Sequence, residues 1–118
     1  NMLLNELHGD DTLLAGQAVP RSWLADGQRI VAAGAPSLFG PLNLRIESAA
    51  ATGMITAAIE FLSDRRPSTL LVRLRHPEKK PLRSVVVNDA PWPDFDPVKE
   101  WIRIPAPAEA RYSIIARY

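Results

Sequence analysis

The sequence predicts an all-β protein, an antiparallel β-sandwich of about eight short strands in a jelly-roll or Ig-like arrangement. Three observations carry that expectation. Apolar and polar residues alternate with period two in several segments, 11 prolines are spread along the chain, and no strand–helix–strand rhythm of a parallel sheet appears. Alternation places one side of a strand in a core and the other in water. Proline lacks a backbone donor and breaks helices, so Pro67, Pro77, Pro81, Pro91, Pro93, Pro97, Pro105 and Pro107 leave no long helical window in the second half.

Taken in order, Leu3 to Leu7 and Thr12 to Ala18 flank the turn Gly9-Asp10-Asp11 and read as a hairpin, with a helical reading of the first segment left open. Arg21 to Ala25, between Pro20 and Gly27, predicts a single helical turn, and Gln28 to Ala33 a further strand. Leu42 to Ser48 alternates most clearly: Leu42, Leu44 and Ile46 oppose Asn43, Arg45 and Glu47. After a turn around Ala51-Thr52-Gly53, Met54 to Leu62 sets Ile55, Ala57, Ile59 and Phe61 on one side. Thr69 to His76 opposes Leu70, Val72 and Leu74 to Leu71, Arg73 and Arg75. Leu82 to Asn88 is rich in β-branched residues and ends at Asn88-Asp89-Ala90, whose polar residues tolerate left-handed dihedrals. Glu100 to Ile104 and Arg111 to Tyr118 complete the run.

A length of 118 residues fits one domain, and 47% hydrophobic with 23% charged residues is the balance of a chain that folds. With 14 basic against 13 acidic side chains, no global field recruits nucleic acid or an anionic membrane. Cysteine is absent, so disulfides and thiolate metal sites are excluded while the compartment stays open. The opening Asn1-Met2-Leu3-Leu4-Asn5-Glu6-Leu7 has neither a basic n-region nor a long apolar run. It reads as the start of a C-terminal fragment whose N-terminal partner domain is missing.

No catalytic residue, metal site or cofactor is expected. His8 and His76 stand far apart without a carboxylate at metal-ligand spacing, and both read as surface or turn residues. Phosphate-binding glycine loops and the nucleophile elbow are missing. Asp89, Asp94 and Asp96 raise the paired carboxylates of a glycosidase or a calcium site. Asp94 and Asp96, however, lie in Pro91-Trp92-Pro93-Asp94-Phe95-Asp96-Pro97, where Asp side chains fix turns by bonding backbone donors, and that structural role is preferred.

The basic stretch Arg65, Arg66, Arg73, Arg75, Lys79, Lys80 and Arg83 is expected to bring Arg73, Arg75 and Arg83 onto one face, as solvated or partner-docking surface. Without interleaved aromatics it lacks the stacking platforms of a nucleic-acid site. Trp23, Trp92 and Trp101 are the candidates for sugar stacking. The ligand-binding candidates are therefore Trp92, Trp101, Asp94 and Asp96, and the domain-docking candidates are Leu3, Leu4 and Leu7 at an apolar edge together with Trp23.

Several stretches carry a family resemblance. They are Gly9-Asp10-Asp11-Thr12-Leu13-Leu14, Val19-Pro20-Arg21-Ser22-Trp23-Leu24, Val72-Arg73-Leu74-Arg75-His76-Pro77, Ser84-Val85-Val86-Val87-Asn88-Asp89-Ala90-Pro91-Trp92 and Glu100-Trp101-Ile102-Arg103-Ile104-Pro105. Over nearly its whole length the chain resembles the C-terminal β-sandwich of bacterial glycoside hydrolases of the six-hairpin, or (α/α)6-barrel, type, rhamnosidase-like tails included. It departs from that pattern at Asp89 and Ala90, where a Gly-Lys-like turn is more usual. The resemblance implies a non-catalytic accessory domain packed on a helical barrel that carries the catalytic acids, with carbohydrate binding through exposed Trp residues as the alternative.

Overall fold

The computed structural model describes residues 4–7, 12–16, 19–37 and 39–118. Among them it is almost entirely β. The strands are β1 (Leu4–Leu7), β2 (Thr12–Ala15), β3 (Arg29–Ala35), β4 (Leu42–Ala49), β5 (Met54–Phe61), β6 (Thr69–Arg73), β7 (Ser84–Val87), β8 (Ala90–Pro91), β9 (Phe95–Asp96), β10 (Trp101–Pro105) and β11 (Arg111–Arg117). Among the described residues the only helical pieces are 3-10 turns at Arg21–Leu24 and Ala50–Thr52. Two sheets form, with strand orders β1-β2-β6-β10-β9 and β3-β4-β5-β11-β7-β8.

The period-two pattern does what it predicts. Leu42, Leu44 and Ile46 of β4, Ile55, Ala57, Ile59 and Phe61 of β5, and Ile114 and Ala116 of β11 are buried from one sheet. Leu13, Leu70, Val72, Ile102 and Ile104 are buried from the other, and all belong to one core. Burying each such Leu or Ile contributes about 1.5–3 kcal/mol, so the facing rows are the main source of stability.

Three features depart from the sequence expectation. β2 pairs with β6 in parallel, Thr12 beside Thr69 through Ala15 beside Val72, inside an otherwise antiparallel structure. The cause is the route of the chain. Between them lie β3, β4 and β5 in the other sheet; β3 and β5 point the same way, so the crossing out and the crossing back cancel. Next, β6 ends at Arg73 and does not continue to His76, because Arg75 and His76 are drawn into a polar cluster. Finally, the described residues hold eleven strands where about eight were expected, among them β8 and β9, two residues each, in segments read as turn. Pairs this short carry no alternation.

Two backbone positions set the connections. Gly16 has φ +77°, and a Cβ there would stand 2.7 Å from the Arg73 carbonyl oxygen, so the chain leaving β2 passes directly over the end of β6. Asn88 and Asp89 have φ +48° and +68° between the paired residues Val87 and Ala90, the dihedral signs of a type I′ hairpin turn.

Candidate functional site

At one end of the sandwich, four segments distant in sequence meet around a partly buried ion pair. Arg21, on the first 3-10 turn, donates from Nη1 to Glu100 Oε2 at 2.9 Å and from Nη2 to Glu100 Oε1, a two-point guanidinium–carboxylate fork. The same Nη1 donates to the His76 carbonyl oxygen at 2.9 Å. Glu100 is buried, and its hydrogen bond raises the Arg21 pKa. Reaching this position forces Glu100, the residue before β10, into left-handed backbone at φ +61°.

His76 is fully buried, which corrects the surface half of its reading as a surface or turn residue, while its carbonyl oxygen accepts from the Lys79 amide at 3.0 Å and opens a turn. Its ring centroid lies 5.2 Å from that of Tyr118. The Glu78 amide donates to Nδ1 at 3.0 Å, which leaves the proton on Nε2, 3.4 Å from the Ala50 carbonyl oxygen. The Tyr118 hydroxyl donates to the Leu74 carbonyl oxygen, and burial pushes its phenol well above the ordinary tyrosine value. Arg75 donates to the Val19 carbonyl oxygen; burial, and then the Arg73 charge, lower its pKa. The Nε atoms of Arg73 and Arg75 are buried without a hydrogen-bond partner among the described residues. Both Glu100 oxygens are engaged by Arg21, so the chemistry of this cluster is that of a clamp between segments.

Two exposed apolar residues lie close in sequence to the clamp residues. Trp23, two residues after Arg21, is 43% exposed, and Val98, two before Glu100, is 87% exposed. Of the other docking candidates, Leu3 lies outside the described residues. Leu4 and Leu7 are the ends of β1, an edge strand: Leu4 pairs with Ala15 near the clamp and Leu7 with Thr12 at the far end.

The four ligand-binding candidates gather around β8, β9 and β10. Trp92 is half-buried against the core and its indole Nε1 donates to the Arg103 carbonyl oxygen at 2.8 Å. Asp94 Oδ2 accepts from Arg103 Nη1 at 3.1 Å. Asp96 Oδ1 accepts from the amides of Val98 and Lys99 at 2.9 and 3.0 Å, and these bonds, that from Lys99 foremost, lower its pKa. Trp101 pairs with Asp96 across β9–β10 and is half-buried, with the Lys99 ammonium 5.4 Å from its ring centroid. Each carboxylate thus serves a local structural bond. Among the described residues no three His, Asp or Glu side chains converge as a metal site.

The basic stretch does not form one face, which corrects the expectation for Arg73, Arg75 and Arg83. Arg73 belongs to β6 and Arg75 lies just beyond it, in the clamp, whereas Arg83 adjoins β7 in the other sheet and lines a hollow of about 410 Å³ with Arg117. A larger groove, about 610 Å³, crosses the outer face of the six-stranded sheet. Ala58 forms its floor; Arg45, Glu60, Arg111 and Ser113 rise around it. Glu60 accepts from Asn43 Nδ2 at 3.0 Å and from Arg111 Nε at 2.8 Å, and both bonds lower its pKa. Sequence reading missed this groove, although the outward residues of β4 and β5 were legible, because β11 joins them only through the fold. Arg21 and Glu100, 79 positions apart, carried no sequence signal of their pairing.

In comparisons with known proteins, no family model and no curated protein matches the chain.

Proposed function

We propose that the chain is a non-catalytic accessory domain of a carbohydrate-active protein, packing on a helical-barrel catalytic domain through the end of the sandwich that carries the clamp. The observation behind this reading is the Arg21–Glu100 pair, with the exposed Trp23 and Val98 each two residues from one of its members in sequence. An exposed tryptophan is a frequent interface anchor, its large ring filling a pocket on the partner, and Trp23 supports the reading in that capacity. The resemblance to six-hairpin glycoside hydrolase tails supplies the nature of the partner. Sugar stacking on Trp92 and Trp101 has less support, since Trp92 is tied to Arg103 and Lys99 stands over Trp101.

The test begins with the reading frame upstream of Asn1, expected to encode several hundred residues of helical-repeat sequence. In the full-length polypeptide, Trp23→Ser with Val98→Asp should lower the melting temperature of the catalytic domain and reduce glycoside hydrolysis. The same pair in the 118-residue chain should leave its own melting temperature within a degree or two, as expected for surface changes. An unchanged melt of the full-length variant, or an upstream frame with no such domain, refutes the docking role.

A further inference from the structure

The outer face of the six-stranded sheet is built in cross-strand rows. One row runs Asn43–Glu60–Arg111, and the next runs Val31–Arg45–Ala58–Ser113. In the second row the methyl of Ala58 lies between longer neighbours, and this difference in side-chain length is what opens the groove of about 610 Å³. Glu60 is held by Asn43 and Arg111, so it orients Arg111 through Nε while leaving the two terminal nitrogens free to face solvent. Arg45, more than half exposed, has only the loose contact of 3.6 Å to Glu47. Two guanidinium groups therefore stand at the rim of one groove, separated by Ala58 and Glu60 of β5, with Ser113 next to Arg111 on β11.

The same face continues the pattern. Arg29 of β3 and Arg117 of β11 also point outward, so four arginines face only Glu47 and Glu60 on these strands. Arg117 borders the second hollow with Arg83 and Ser84, and among the described residues neither arginine has a carboxylate within ion-pair distance. Arg111 and Arg117 lie six residues apart on one strand, roughly 20 Å. Arginines distributed over that span suit a linear ligand with repeated anionic groups better than a single small anion. Guanidinium binds carboxylate in a planar, two-point manner, and Ser113 at the groove offers a hydroxyl partner for sugar hydroxyls. None of the outward positions on β3, β4, β5, β7 or β11 is aromatic, so the stacking platforms that hold nucleic-acid bases are lacking.

We propose that this face binds an acidic polysaccharide, a uronate polymer, with Arg45 and Arg111 receiving its carboxylates in the Ala58 groove. The ligand class rests on the carbohydrate-active reading above, while the site does not depend on docking at the clamp.

The test is calorimetric titration of the 118-residue chain with oligogalacturonate, with a neutral galactan oligomer and with a single-stranded DNA oligonucleotide. Binding to oligogalacturonate alone is expected. It should weaken ~tenfold or more in R45A/R111A, the scale of losing charged hydrogen bonds, and equally in A58E, which fills the groove and leaves both arginines in place. Thermal melts verify that each variant folds. No binding to oligogalacturonate, equal affinity for the neutral oligomer or DNA, or unaltered binding by both folded variants overturns the proposal. Such failure leaves the clamp-end docking standing, since that is judged on the full-length melt.

Discussion

Glu100 illustrates how one residue can be held in an unfavourable backbone state by its side chain. Left-handed backbone costs a non-glycine residue about 1 kcal/mol, and the fork to Arg21 offsets it. Glu100→Ala removes the fork and keeps the strain, and should destabilise the domain by about 2 kcal/mol; Arg21 is a quarter exposed, so the loss is smaller than for a fully buried pair. Glu100→Gly also removes the fork but relaxes the backbone, and should be about 1 kcal/mol more stable than the alanine variant in urea denaturation. Equal midpoints for the two would show the position to be unstrained. Tyr118 gives a pH dependence of defined sign. Its folded phenol keeps the proton above the ordinary value near 10, whereas the unfolded chain ionises there. Its contribution is therefore complete below about pH 10 and is lost as pH rises toward the higher folded value. Tyr118→Phe should flatten the alkaline fall in stability while costing about 1 kcal/mol at neutral pH for the bond to Leu74. A stability–pH profile by denaturant titration distinguishes these; an alkaline limb as steep in the variant assigns the fall to other groups.

At the scale of elements, the hairpin β7–β8 shows what the chain made legible and what it concealed. The run Val85-Val86-Val87 before Asn88-Asp89 announces a strand and a left-handed turn, and both are present. Asn88 also ties the turn to β11, its Oδ1 accepting from the Ser113 amide at 2.8 Å. Asp89 occupies the second turn position, where glycine takes a positive φ without a Cβ clash. Asp89→Gly should accordingly raise stability by about 0.5 kcal/mol, read as a higher melting temperature with binding to β11 intact. A lower melting temperature would indicate that Asp89 makes a compensating contact. The strands β4, β5, β6, β10 and β11 were equally legible, because each alternates over five residues or more. β8 and β9 were not: two residues cannot express a period, and tertiary pairing alone makes them strands. The buried place of His76 was hidden for a related reason, since its surroundings come from Tyr118 and Ala50, both remote in sequence.

For the whole molecule, burial was readable and direction was not. Alternation specifies which side chains enter the core, but it is identical for parallel and antiparallel neighbours, so the β2–β6 relation emerges only from the path through β3, β4 and β5. Sheet membership was equally silent, which is why Arg73 and Arg83 part company and why the arginine-rich outer face became visible only in three dimensions. The register of the edge hairpin has a geometric corollary. Leu4 lies beside Ala15, whose neighbours across the sheet are Val72 and Ile102, one step from the row of Arg73 and Trp101. The Leu4 end of β1 is thus set at the same end of the five-stranded sheet as the Glu100 entry to β10. A partner domain of the kind proposed, joined at that end, would meet the clamp at a high effective concentration, so that modest contacts would hold the two bodies together.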